Sequence, residues 1–173
     1  MESIESSFRE ALNRVRGSSL LKVVYRALKN EVTSVELEQV PTYIGGEVGL
    51  SFSGNGPLYC SWAENAGWND HFSLQLMRRS HFSAGSLENH DASQFPLWRP
   101  HIGKVLSSWR VPGFNSTPHV LELCFTESCV YIGDGYENVF GDGDDVVISN
   151  SLEDEGNPIT WTTLVSSTSE QTA

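Results

Sequence analysis

The chain has 173 residues and a formal net charge of −11, from 22 acidic and 11 basic side chains. Folding at this length buries roughly 70% of the unfolded surface, enough for one ordinary domain without disulfide staples. All eleven Lys and Arg lie in residues 1–111, where eleven acids balance them; residues 112–173 hold no Lys or Arg and the other eleven acids, which argues against nucleic-acid binding and favours either a basic protein partner or mere solubility.

The N-terminus, MESIESSFREALNRVRG, is amphipathic and charged, unlike a secretory signal. Ile4, Phe8, Ala11, Leu12 and Val15 share one helical face and Gly17 follows as a cap, so the spacing predicts a helix over 3–16. The stretch 20–28, LLKVVYRAL, fits either period, and its β-branched and aromatic content favours a strand. Short strands are expected at 33–40, 47–53, 58–63 and 71–77, separated by Pro41, Gly45-Gly46, the Gly54–Pro57 turn and Gly67. Residues 78–101 are too long for a simple connection. They are read either as containing a short helix from Asp91 to Pro96 or as a surface loop tied down by Phe95, Leu97 and Trp98. Further strands are expected at 104–111, 119–125, 129–134, 145–149 and 159–165, with 166–173 a disordered tail.

Residues 48–65 echo residues 120–138. Each has an apolar-x-Leu-x-Phe strand, a polar turn, an apolar-Tyr-apolar strand and a closing Glu-Asn. Lys22-Val23-Val24 and Lys104-Val105-Leu106 precede them in the same order. Chance similarity between hairpins explains this, or a repeat does. The reading as a whole is an α+β fold, mostly antiparallel β. It has two related β-meanders and an N-terminal amphipathic helix, in a single domain over 1–165 with pseudo-repeat halves at 20–77 and 102–165.

No run approaches the roughly 20 apolar residues of a membrane helix. Cys60, Cys124 and Cys129 are odd in number, lie in apolar or strand-like runs and show no CxxC spacing, so they read as buried thiols of a cytoplasmic protein. The five histidines form no HxH or HxxxH pair, and no nucleophile or phosphate-loop signature occurs. No catalytic residue, metal or cofactor is assigned.

The sharpest feature is GDGYENVFGDGDD, residues 133–145, with five carboxylates and no cation. Its spacing does not fit a calcium loop: Tyr136 and Val139 fall where an EF-hand, counted from Asp134, wants a ligand and a glycine. Clustering carboxylates costs stability and adds nothing to the fold, so it reflects either relaxed surface drift or function as a docking loop, which needs such charge for steering, with Tyr136 and Phe140 as rings for desolvated contact.

Residues 98–149, with a Trp-x-x-x-Ile-Gly lead-in, an apolar-x-Leu-x-Phe strand, its hairpin partner and the acidic Gly-Asp stretch, resemble immunity proteins of bacterial polymorphic toxin systems. The resemblance implies a stoichiometric inhibitor with no catalytic residues. The expected contact set is Asp134, Tyr136, Glu137, Phe140, Asp142, Asp144 and Asp145, with Glu153, Asp154 and Glu155 nearby, engaging a cognate basic toxin domain without nucleic acid or membrane. The alternative is a small-ligand or enzyme site built around His81, His90, Asp91 and Arg99.

Overall fold

The computed structural model describes residues 4–30, 34–64, 72–114, 116–134, 145–152 and 161–168. Helix α1 (Ile4–Val15) leads into β1 (Leu20–Leu28) and a one-turn helix α2 (Ser34–Leu37). Then come β2 (Thr42–Ile44), β3 (Glu47–Phe52), β4 (Leu58–Glu64), β5 (Phe72–Met77) and β6 (Leu87–Asp91). A 3-10 turn at Arg99–His101 precedes β7 (Ser108–Phe114), β8 (Thr117–Pro118), β9 (Val120–Cys124), β10 (Cys129–Asp134), β11 (Val146–Ser149) and β12 (Thr162–Ser166). Among the described residues the strands form two antiparallel sheets, ordered β5-β4-β3-β1-β6 and β12-β7-β9-β10-β11-β2. The fold is α+β and mostly antiparallel, with two meanders and an N-terminal helix, as the sequence predicts.

The apolar face of α1 forms as its periodicity requires: Phe8, Ala11, Leu12 and Val15 are buried, and Gly17, at φ +83°, ends the helix in the left-handed region that a Cβ would strain. One apolar cluster runs through both sheets, from Val23, Val48 and Leu50 in the first to Leu121, Leu123 and Ile132 in the second. Trp98 is completely buried, and its Nε1–H donates to the Tyr25 hydroxyl at 2.7 Å. Phe95 and Leu97 pack beside it, so these three residues tie down the long connection.

The two sheets share one register. Gly49 pairs with Tyr59 as Glu122 pairs with Tyr131, and Cys60 pairs with Leu76 as Ile132 pairs with Ile148. On the other flank Val23 faces Leu50 as Trp109 faces Leu123, and Val24 faces Asp91 as Arg110 faces Ser166. Strands β1, β3, β4, β5 and β6 therefore correspond in order to β7, β9, β10, β11 and β12. Phe52 and Phe125 occupy matching, buried positions at the ends of equivalent strands. The lysine-led match is out of step, however, since the ladders set Lys22-Val23-Val24 against Ser108-Trp109-Arg110, four residues further on.

Equivalent segments also bond to each other. Ser19 and Val105 form an antiparallel bridge. Around it, Leu20 N–H donates to the Lys104 carbonyl at 2.9 Å, and Leu106 N–H to that of Ser18 at 3.0 Å. Gly17 N–H donates to the Leu106 carbonyl at 2.9 Å, and Gly103 N–H to that of Leu20 at 2.7 Å. Exchanging the halves converts each bond into its counterpart, which is the signature of a two-fold relation. Gly103, at φ +81°, repeats the Gly17 conformation after the 3-10 turn.

Four expectations are corrected. Residues 33–40 do not form a strand: 34–37 are helical, and the extended segment is 42–44, recruited by the edge of β11. Asp91–Pro96 is not a helix; 87–91 form a strand because β1 offers an open ladder there. The strand expected at 104–111 is β7, which starts at Ser108 and runs through Pro112-Gly113. The tail does not begin at 166, since Ser166 ends β12 and Ser167 N–H donates to the Trp109 carbonyl at 2.9 Å.

Candidate functional site

The acidic stretch is built on the β10–β11 connection. Residues 135–144, and with them Tyr136, Glu137, Phe140, Asp142 and Asp144, lie outside the described residues, as do Glu153, Asp154 and Glu155. Its two anchors are described. Asp145 is half-buried just before β11. Asp134, expected to face a partner, is 1% exposed and is corrected to an internal residue. Its carboxylate oxygens lie 3.0 and 2.9 Å from Nδ1 of His119, itself 1% exposed, and its N–H donates to the His119 carbonyl at 3.0 Å. A buried carboxylate persists only where such partners replace water, so the pair fixes the root of the acidic connection.

The second acidic run has a different anchor. Residues 135–144 join β10 to β11 at the end of the ladder where Asp134 faces Val146; residues 153–155 follow β11 from the end where Ser149 faces Tyr131. The exposed Glu127, in the β9–β10 turn, shares that second end. The acidic runs are thus rooted at opposite ends of one sheet.

Between the sheets lies Cys60, completely buried, whose thiol is pushed up by burial and further by the Asp134 and Glu47 carboxylates. It is an inert core thiol. Glu47 is also fully buried and is paired with Arg26, its register partner, whose guanidinium lies 5.5 Å from the centre of the Tyr59 ring. Its second carboxylate oxygen has no hydrogen-bond partner.

A further cluster lies on β7, β9 and β10. Arg110 donates from Nε to Glu122 Oε1, and its Nη2 lies beside Oε2, both at 2.7 Å. The Glu122 hydrogen bond holds the guanidinium above its ordinary range. Tyr131, the cross-strand neighbour of Glu122, is raised by burial and then by that carboxylate. Cys124 and Cys129, directly opposite each other at the hairpin end, form a disulfide, with Cys124 Sγ 3.6 Å from Glu122 Oε1. Two of the three cysteines expected to be free thiols are therefore bonded, which removes the support that expectation gave to a reducing compartment. Glu122, Cys124 and Cys129 offer ligand atoms within 4.8 Å of one another, but a metal would need both sulfurs reduced and Glu122 freed from Arg110.

The residues of the alternative site, His81, His90, Asp91 and Arg99, make no hydrogen bond or ion pair with one another. His81 Nδ1 lies 3.3 Å from Gln75 Nε2, and its ring stacks on Phe82 at 4.2 Å. His90 is 3.9 Å from Glu88, on its own strand. Asp91 accepts from Ser93 N–H at 3.0 Å, and the Ser93 side chain first and this N–H second hold it below the usual carboxylate range. Arg99 is exposed in the 3-10 turn. Two depressions flank α1: one of about 170 Å³ beside Arg14 and Arg78, which share Glu10, and an open groove of about 480 Å³ beside Arg9 and Arg16. Arg16 is tied to the carbonyls of Ser107 and Ser167, so it braces the end of α1.

Sequence reasoning missed the His119–Asp134 pair and the disulfide, although the hairpin carried the signal. Once the β9–β10 turn is centred between Thr126 and Glu127, counting outward sets 124 against 129, 122 against 131 and 119 against 134. No helix among the described residues is long and apolar enough to cross a membrane. The chain matches no protein-family model, no curated protein and no solved structure.

Proposed function

We propose that this chain is a stoichiometric inhibitor of a cationic protein, of the immunity-protein kind, and not an enzyme. The observation that carries the reading is the charge segregation: residues 112–173, which supply β8 to β12, contain no Lys or Arg and account for the whole net charge of −11. A net negative charge of this size attracts a basic partner at long range and steers it, raising association rates by about 10- to 1000-fold at low salt. The contact set centres on Glu137, Asp142, Asp144 and Asp145, with Tyr136 and Phe140 as apolar anchors, and Asp134 roots the connection from inside. Glu153, Asp154 and Glu155 add to the long-range field. The partner is a basic toxin domain, with carboxylates standing where it would otherwise hold phosphates; neither nucleic acid nor membrane is a ligand. A cytoplasmic location follows from this reading alone.

The test is to change Glu137, Asp142, Asp144 and Asp145 to Gln or Asn together, leaving Asp134 intact, and to follow association with a basic toxin domain captured by the native chain, by stopped flow at two ionic strengths. The expected outcome is an association rate at least tenfold lower at low salt, with the difference shrinking as salt is added. An unchanged rate and affinity would remove this surface from consideration.

A further inference from the structure

Three groups meet at the closed end of the β9–β10 hairpin and serve no purpose in the reading above. Cys124 and Cys129 are both only half-buried, and the turn residues beside them, Thr126, Glu127 and Ser128, are exposed. The disulfide thus lies at a partly exposed hairpin end, in contrast to Cys60, which is completely buried. Glu122, two residues from Cys124 and on the same face of β9, places Oε1 3.6 Å from its sulfur, and Arg110 fixes that carboxylate with two contacts of 2.7 Å. The carboxylate contacts the Cys124 sulfur at 3.6 Å and lies within 4.8 Å of that of Cys129, so it bears more closely on Cys124.

We propose that Cys124, Cys129 and Glu122 form a reversible thiol–disulfide exchange site for small thiols and disulfides of the glutathione class. Cys129 is the sulfur that exchanges with solvent, because Glu122 repels an incoming thiolate from Cys124. In the oxidising direction the Cys129 thiolate attacks the small disulfide, whose own S–S bond breaks. One half leaves as a thiolate and takes up a proton; the other remains on Cys129 as a mixed disulfide. Cys124 then passes its thiol proton to the Glu122 carboxylate as its sulfur attacks Cys129 Sγ. The mixed disulfide breaks, the electron pair leaves with the second small thiol, and that thiol takes the proton from Glu122. Two electrons and two protons pass from the protein dithiol to one small disulfide, giving two small thiols and the Cys124–Cys129 bond. Glu122 acts as general base, and Arg110 positions it.

The experiment uses the full chain in glutathione buffers of varied oxidised-to-reduced ratio, quenched with an alkylating agent and read by intact mass. The native chain should interconvert reversibly between no and two accessible thiols, with Cys60 reacting only after denaturation. C124S should trap a glutathione mixed disulfide on Cys129, and C129S should trap little on Cys124. E122Q should slow the resolution of the mixed disulfide by about tenfold or more near neutral pH, a deficit that shrinks as the pH rises past about 8.5, the range in which an ordinary thiol ionises without a base. A disulfide that exchanges only after the chain is unfolded would show a purely structural bond and overturn the proposal. Equal trapping on the two cysteines, or an E122Q pH profile identical to that of the native chain, would overturn the assigned roles. None of these readouts involves a protein partner, so the outcome is independent of the proposed inhibitor function.

Discussion

Arg26 and Glu47 in the first sheet and Arg110 and Glu122 in the second are the same kind of cross-strand pair, each joining the first two strands of its meander. Their surroundings differ. The Glu47 side chain is fully buried and that of Arg26 is 21% exposed, whereas Glu122 and Arg110 are 11% and 39% exposed. They also sit two positions apart along equivalent ladders, so neither is a copy of the other. What the halves share is the backbone pairing; the polar residues placed on it have diverged. The same holds at the dyad-related sites Val15 and His101, and at Trp62 and Asp134.

The largest test of that contrast is Arg26→Ala, which strands a buried carboxylate and should cost about 3–5 kcal/mol in denaturant titrations. Arg110→Ala, removing a partly solvated partner, should cost about 1 kcal/mol after screening. Equal losses would show that burial does not separate the two pairs. Next in size, Gly17→Ala and Gly103→Ala each force a Cβ into the left-handed region with open space around it, so strain alone should cost about 1–2 kcal/mol at either site. Thermal unfolding that showed one variant native-like and the other strongly destabilised would break the two-fold relation. The smallest effect concerns pH. Burial lowers the His101 imidazole below its ordinary value, and its ring stacks on Phe125 at 4.9 Å. The unfolded chain therefore binds more protons than the folded one as pH falls through about 6.5, so stability declines there and that contribution is lost by the lower folded value. His101→Phe should flatten this part of the stability profile, and Val15, its counterpart, contributes no such slope.

Periodicity and β-branched content made α1 and most of the meander strands legible in the sequence, because each buries a regular face. Strand β6, LENHD, carries no such pattern; it is a strand because β1 leaves an unpaired edge beside it. Strand β2 is extended because it completes the ladder of β11, which comes a hundred residues later. Composition alone revealed the acidic stretch, but it carries no mark of Asp134 turning inward onto His119. That distinction, like the Cys124–Cys129 bond, depends on pairing register, which a single turn length sets for the whole hairpin.

The bridge at Ser19 and Val105 joins the two meanders as the interface of a symmetric pair would. With both on one chain, dilution cannot part them. Covalent linkage also removes a restriction that symmetric assemblies impose, in which every substitution appears twice. Here one meander, residues 108–166, can accumulate a net charge of −9 while its twin, residues 20–91, carries −3, and a molecule with matched halves can present two unlike faces.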